Sequence, residues 1–158
     1  MSTQASQRTT PEITAWVGLI RAHALTTRRF NAELVAEHGL TLNDYEVLLH
    51  LSRAEGRRLR RVDLAERVLL TPSGITRLLD GLERAGWVER ASCESDARVT
   101  YAQLTDDGLE KLRQAAESHV AGIRDFFVGR FSEDELLALG GLLERVPQDP
   151  PEDVSCTP

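Results

Sequence analysis

The chain has 158 residues, 41% of them hydrophobic, with a formal net charge of −6 at pH 7, which suits a single domain with a real core, with or without appended helices. No stretch approaches the roughly 20 consecutive apolar residues of a membrane span, and the opening MSTQASQRTTPE lacks the charged and apolar blocks of a signal peptide. A membrane partner is therefore excluded and a cytoplasmic location expected. Cys93 and Cys156 lie far apart, Cys156 in a Pro-rich tail, so neither a disulfide framework nor a metal ribbon is expected.

Residues 1–11 read as a polar, flexible lead-in ending at Pro11. From Glu12 to about His38 no proline intervenes, and Ile13, Trp16, Val17, Ile20, Ala24 and Thr27 recur at spacings of three and four, predicting a long amphipathic helix stopped by Gly39. A second helix follows from Thr41, a cap residue, with Leu42, Tyr45, Val47, Leu48, Leu49 and Leu51 so apolar that it must be buried on most sides; Gly56 is its expected end. The run GRRLRR then opens a turn into a short helix, Arg61 to Val68, whose inward face is expected to be Val62, Leu64, Ala65 and Val68.

At Thr71 a hydroxyl capable of capping precedes Pro72, which fits the first helical position because its missing N–H would have no partner there. The helix that follows has a core face of Ile75, Leu78, Leu79 and Leu82 and closes at Gly86. Its other face, Ser73, Gly74, Thr76, Arg77, Asp80, Gly81 and Arg84, is small or polar at the N-terminal end. Small residues let a backbone approach something closely, so this face is a candidate contact surface.

Trp87 to Arg90 and Val99 to Leu104 alternate and are enriched in β-branched and aromatic residues around the polar loop ASCESDAR, predicting a hairpin with a long tip. Helix, turn, helix, hairpin is the order of a winged helix-turn-helix. Thr105 then caps a long helix with Leu109, Leu112, Ala116, Val120, Ile123 and Phe127 as its stripe, and Ser132 with Glu135 forms the capping-box pattern of a last helix before Pro147, Pro150 and Pro151. The fold class expected is mainly α with a small β-hairpin wing. The division is a lead-in (1–11), a dimerisation helix (12–40), a winged module (41–104), C-terminal dimerisation helices (105–146) and a flexible tail (147–158). The outer helices have stripes too extensive for the small module to cover, so a second copy of the chain is their most economical partner.

The segments GLTLNDYEVLLHL, LAERVLLTPSGITRLLDGLERAGWVER and DARVTYAQLTDDG, in this order and at these separations, resemble the MarR family of bacterial transcriptional regulators, and the likeness runs from about Glu12 to Val146. The resemblance implies a homodimer in which the first and the last two helices interlock. It further implies that the helix from Thr71 to Ala85 enters the major groove, that Arg98 of the wing enters the minor groove, and that the protein represses nearby genes and releases DNA on binding a small aromatic or anionic effector.

An acidic protein holding a polyanion must separate its charges. Residues 57–104 carry nine basic and seven acidic groups, a balance of +2 that leaves −8 elsewhere, and distant carboxylates are screened beyond a Debye length of about 8 Å. Candidate phosphate contacts are Arg57, Arg58, Arg60, Arg61, Thr71 and Ser73, the last two beside a helix N-terminus that favours anions. Candidate base-edge contacts are Ser73, Thr76 and Arg77, with Gly74 allowing close approach. Arg98 fits a narrow A·T-rich minor groove, and Asp96 orients it or pairs with Arg77. The bland readings are a solvated turn for Arg57 to Arg61 and an intramolecular pair for Arg77.

Two-fold symmetry predicts a pseudo-palindromic operator on double-stranded DNA with half-sites about one helical turn apart. His23 and His38 lie far apart on the first helix and His50 and His119 on two others, none at ligand spacing, so no metal is expected, and no cofactor or catalytic constellation is apparent. A crevice between dimer helices and module is the place for an effector, with Trp16, Ile20, His23, Tyr45, Leu49 and His50 as candidate lining; core packing is the competing reading for each. Cys93, beside Glu94, reads as incidental. Two function classes stay open: a ligand-responsive repressor, and a winged helix used for protein contact or as a constitutive DNA architect, which salt-dependent affinity separates.

Overall fold

A computed structural model of the chain describes residues 10–92 and 99–146. In chain order the elements are α1 (Pro11–His38), α2 (Leu42–Arg53), a short 3-10 turn (Glu55–Arg57), β1 (Arg58–Arg60), α3 (Arg61–Arg67), α4 (Pro72–Arg84), β2 (Val88–Ser92), β3 (Thr100–Leu104), α5 (Asp106–Val128) and α6 (Glu133–Leu143). This is the expected mainly helical chain with a small sheet, and the helix boundaries follow their sequence signals closely. Gly39 takes a left-handed φ of 67°, and the N–H groups of Gly39 and Leu40 donate to the carbonyls of Val35 and Leu34, closing α1 as a glycine at this position allows. Thr41 and Asp44 cap α2 reciprocally: the Asp44 N–H donates to Thr41 Oγ1 at 3.1 Å and the Thr41 N–H to Asp44 Oδ2 at 2.8 Å.

Three expectations are corrected. The second helix stops at Arg53, and Gly56 serves the turn after it, with φ of 61° followed by 55° at Arg57. The arginine run is not only a turn: Arg58–Arg60 is a strand pairing antiparallel with β3, Leu59 opposite Ala102, so the hairpin becomes a three-stranded sheet in the order β1-β3-β2. A three-residue strand with one apolar residue has no period of its own to read. Val62 faces solvent at 62% exposure; it lies some 200° around the helix from Leu64, while Leu64, Ala65 and Val68 point inward.

One continuous core joins α2, α3, α4, the sheet and the start of α5. Leu40, Val47, Leu48, Leu51, Leu64 and Leu79 are wholly enclosed, with Ile75, Leu82, Val88, Ala102, Leu104, Leu112 and Ala115 around them; each such leucine contributes roughly 1.5–3 kcal/mol by burial. The module is stitched to α5 at Thr105. Its hydroxyl accepts from the Gly108 N–H at 2.9 Å and donates to the Gly86 carbonyl at 2.8 Å, and its N–H donates to the Trp87 carbonyl at 3.1 Å. A Cβ at Gly108 would lie 2.0 Å from that Trp87 oxygen, so only glycine permits the contact.

The outer helices are built differently. From Pro11 to Leu25 every residue of α1 is exposed, Ile13, Trp16, Val17, Leu19 and Ile20 among them. α6, capped by Ser132 and Glu135 in the expected box, has no buried residue and presents Leu137, Leu139, Leu142 and Leu143 to solvent.

Candidate nucleic-acid interface

α4 is the centre of the candidate site, and local chemistry explains where it starts. Thr71 has extended backbone angles and its Oγ1 accepts from the Gly74 N–H at 3.1 Å, with Pro72 in the first turn. Pro72 has no N–H, and the Gly74 and Ile75 N–H groups are taken by Thr71, so Ser73 carries the first-turn N–H left over among the described residues, at a helix end with partial positive charge. Ile75, Leu79 and Leu82 anchor the opposite face in the core, leaving Ser73, Thr76 and Arg77 exposed together.

The predicted residues of this helix divide by what they already touch. Thr71 Oγ1 lies 3.3 Å from Ser73 Oγ, and the Thr76 hydroxyl donates to the Pro72 carbonyl at 2.9 Å, so both hydroxyls are oriented and retain acceptor capacity. Gly74 is half-buried, and a Cβ there would sit 3.1 Å from Thr71 Oγ1 and 3.7 Å from Leu70 Cβ. Its smallness serves the packing of the turn. Arg77 makes no hydrogen bond or ion pair among the described residues, so the intramolecular pairing with Asp80 considered for it is absent.

The arginines before α3 are less free than their number suggests. Arg57 donates to Asp106 Oδ1 at 2.8 Å. Arg58 rests its guanidinium 5.2 Å from the Tyr101 ring centroid, exposed and in no ion pair among the described residues. Arg60 holds Asp63 by two bonds of 2.8 Å, a fork-shaped pair that competes with any phosphate. The Arg61 side chain is 19% exposed with Nη2 3.9 Å from Asp80 Oδ1, and its buried Nε and Nη2 make no hydrogen bond among the described residues. Arg98 and Asp96, the predicted wing pair, lie outside the described residues, as does Cys93.

Arg90 on β2 was not singled out by sequence reasoning. It donates from Nε to Glu83 at 2.9 Å and 3.1 Å and from Nη2 to Asp80 at 2.9 Å, tying the strand to the helix. Its guanidinium is held above the ordinary arginine range, first by the hydrogen bond to Glu83 and then by that carboxylate's charge. A strand-to-helix pair seven and ten residues apart follows no local period, so nothing in the sequence pattern marked it.

The six candidate effector residues fall in two groups. Trp16, Ile20 and His23 lie on the exposed half of α1, whereas Tyr45 is buried with its ring 4.8 Å from that of His119 on α5, and Leu49 and His50 are half-buried on α2. For Tyr45 the structure gives the core reading. Burial raises the Glu46 carboxyl, with the nearby charge of His23 opposing, and it lowers His50, with Arg67 and then Arg53 adding to the effect. Arg67 on α3 and Arg53 at the end of α2 are the cationic groups felt by His50.

Comparison with known proteins locates the chain. A family model described as MarR family matches residues 38–99. The HTH-type transcriptional regulator PecS of Dickeya dadantii is 30% identical over 82% of this chain and 78% of its own. The HTH-type transcriptional repressor YetL of Bacillus subtilis is 34% identical over 70% of this chain and 68% of its own. Among solved structures, Sco3205, a MarR family transcriptional regulator from Streptomyces coelicolor in complex with DNA, superposes with a TM-score of 0.79 at 33% identity, covering 87% of this chain and 86% of that one.

Proposed function

The chain belongs to the MarR family of transcriptional regulators and is a DNA-binding regulator, and from that premise we propose how its residues divide the work. Two copies join through α1, α5 and α6 (within 12–40 and 105–146), and each hangs a DNA-reading module, 41–104, below the shared scaffold. The dimer acts on chromosomal DNA in the cytoplasm as a repressor, as a relative's name states of that protein.

The observation that carries this reading is the exposed N-terminal face of α4, with Ser73 and Thr76 small and Arg77 in no hydrogen bond or ion pair among the described residues. Arg77 reads base edges with Ser73 and Thr76; Arg58, Arg57, the Thr71 hydroxyl and the Ser73 hydroxyl and N–H hold phosphates. Arg60 and Gly74 shape the module, and Arg61 contributes charge from within. Arg98 keeps the minor-groove role implied by the family, oriented by Asp96. A small anionic effector suits the side of α2 at Leu49 and His50, which feels the charges of Arg67 and Arg53, with Trp16, Ile20 and His23 supplying the outer wall once a partner covers them.

Footprinting on the intergenic DNA upstream of the protein's own gene is expected to give a pseudo-palindromic protected site with salt-dependent affinity. Arg77→Ala is expected to weaken that site by about 1–3 kcal/mol and to relax discrimination at the contacted base pair. Unchanged affinity and an unchanged base preference would remove α4 from the reading role.

A further inference from the structure

The recognition face of α4 carries its own obstacle. Asp80 follows Ser73, Thr76 and Arg77 at helical spacing on the same stripe, and Glu83 lies nearly one turn beyond it. Both carboxylates border an open surface depression that they share with Arg84, so they are accessible to whatever approaches the helix. With Arg77 and Arg84 against Asp80 and Glu83, α4 by itself is neutral, and two bare carboxylates would stand beside the phosphates that its N-terminal half has to meet.

We propose that Arg90 is a masking residue: from β2 it cancels the two carboxylates of α4, and so allows the recognition helix to lie against a polyanion. This rests on the reading of α4 as the DNA-facing helix. One guanidinium covers both acids, Nε on Glu83 at 2.9 Å and Nη2 on Asp80 at 2.9 Å, and its side chain is 55% exposed, on the solvent side of the pair. Arg61 stands behind Asp80 at 3.9 Å with its side chain mostly buried. Asp80 is therefore held between two positive charges, one inside the module and one at its surface. The arrangement also accounts for the position of Arg61, whose buried nitrogens have no hydrogen bond among the described residues and are balanced only by this longer-range attraction.

The test uses the full chain and a fluorescent duplex of mixed sequence, with anisotropy titrations at low and high salt. Arg90→Gln is expected to bind about tenfold more weakly at low salt, because like charges juxtaposed across an interface repel, and the deficit should shrink as salt screens it. Adding Asp80→Asn and Glu83→Gln to that variant should restore wild-type affinity. The same two acid substitutions with Arg90 intact should bind more tightly than wild type and with a steeper salt dependence, since a freed guanidinium then faces the duplex. A variant Arg90→Gln that binds as wild type overturns the proposal, and so does a triple variant that stays as weak as the single one with unchanged melting, which would make Arg90 a tether or a direct contact. Should Arg90→Gln fail to fold, the acid substitutions decide, and affinity no higher than wild type overturns masking. A wild-type chain that does not bind the duplex even at low salt would instead overturn the DNA-facing assignment of α4 itself, and masking with it.

Discussion

The winged module and the helical scaffold are made from similar proportions of apolar residues, yet only the module finishes its core within one chain. In α2, α3, α4 and the sheet the leucines and valines are buried or half-buried, with Val62 the exception, and Leu69 in the turn between α3 and α4 is exposed too. In the first half of α1 and in α6 the pattern is inverted: Trp16 is 61% exposed and Leu137 69%. Hydrophobic periodicity thus predicts which face will be covered without saying by which molecule. The module's core closes within the chain with the help of Leu34, Leu112 and Ala115, while the first half of α1 and α6 leave apolar faces uncovered.

Perturbations should separate the two regions, beginning with the module's core. Leu79→Ala, at a fully buried position, is expected to cost about 3–5 kcal/mol, read as a lower midpoint in chemical denaturation with secondary structure lost cooperatively. The paired change Leu137→Asp and Leu142→Asp touches nothing buried within the chain. Its helix content by circular dichroism should therefore persist, while sedimentation reports a monomer and operator affinity falls on the order of 100-fold for want of the second module. If that variant unfolds instead, the scaffold is not separable and the comparison fails.

Smaller effects sharpen the contrast. Leu69 has a φ of 54° and is 91% exposed, so its side chain packs on nothing while its backbone sits where a Cβ is strained. Leu69→Gly is expected to stabilise the module by about 0.5–1 kcal/mol, measured as a rise in Tm. At the seam between the regions, burial lowers the His119 imidazole below its ordinary value, with Glu33 opposing. The unfolded chain then takes up a proton before the folded one, so this contribution to stability is complete above about pH 6.5 and is lost as pH falls. His119→Phe keeps an aromatic ring against Phe30 and Tyr45, and its Tm should decline less on acidification from neutral pH than that of the wild type.

Much of this was legible before any coordinates. Thr41, Thr71, Thr105 and Ser132 marked helix starts because caps are local chemistry, and the α4 face was visible because its period is local too. What escaped depends on distant chain. β1 exists only because the edge of β3 comes alongside Arg58–Arg60. Arg60 reads as a phosphate contact in the sequence, yet Asp63 holds its Nε and Nη2, although the two are only three residues apart. Arg90 acquired a role from a helix seven residues upstream that the strand folds back to meet. Counting charges between residues 57 and 104 overstated how many of the module's arginines stand apart from carboxylates, since Arg57, Arg60 and Arg90 are each paired.

The stitch at Thr105 gives the scaffold a mechanical hold on the reading head. Two hydrogen bonds from Thr105, to the Gly86 and Trp87 carbonyls, and a side-chain-free approach at Gly108 fasten the first turn of α5 to the turn that ends α4. A rotation of α5 would consequently carry the turn after α4 with it, and in the dimer proposed above the spacing of the two α4 helices would follow how the long helices cross. Under that proposal, anything that wedged those helices apart would change the gauge of the calliper against a duplex whose groove spacing is fixed.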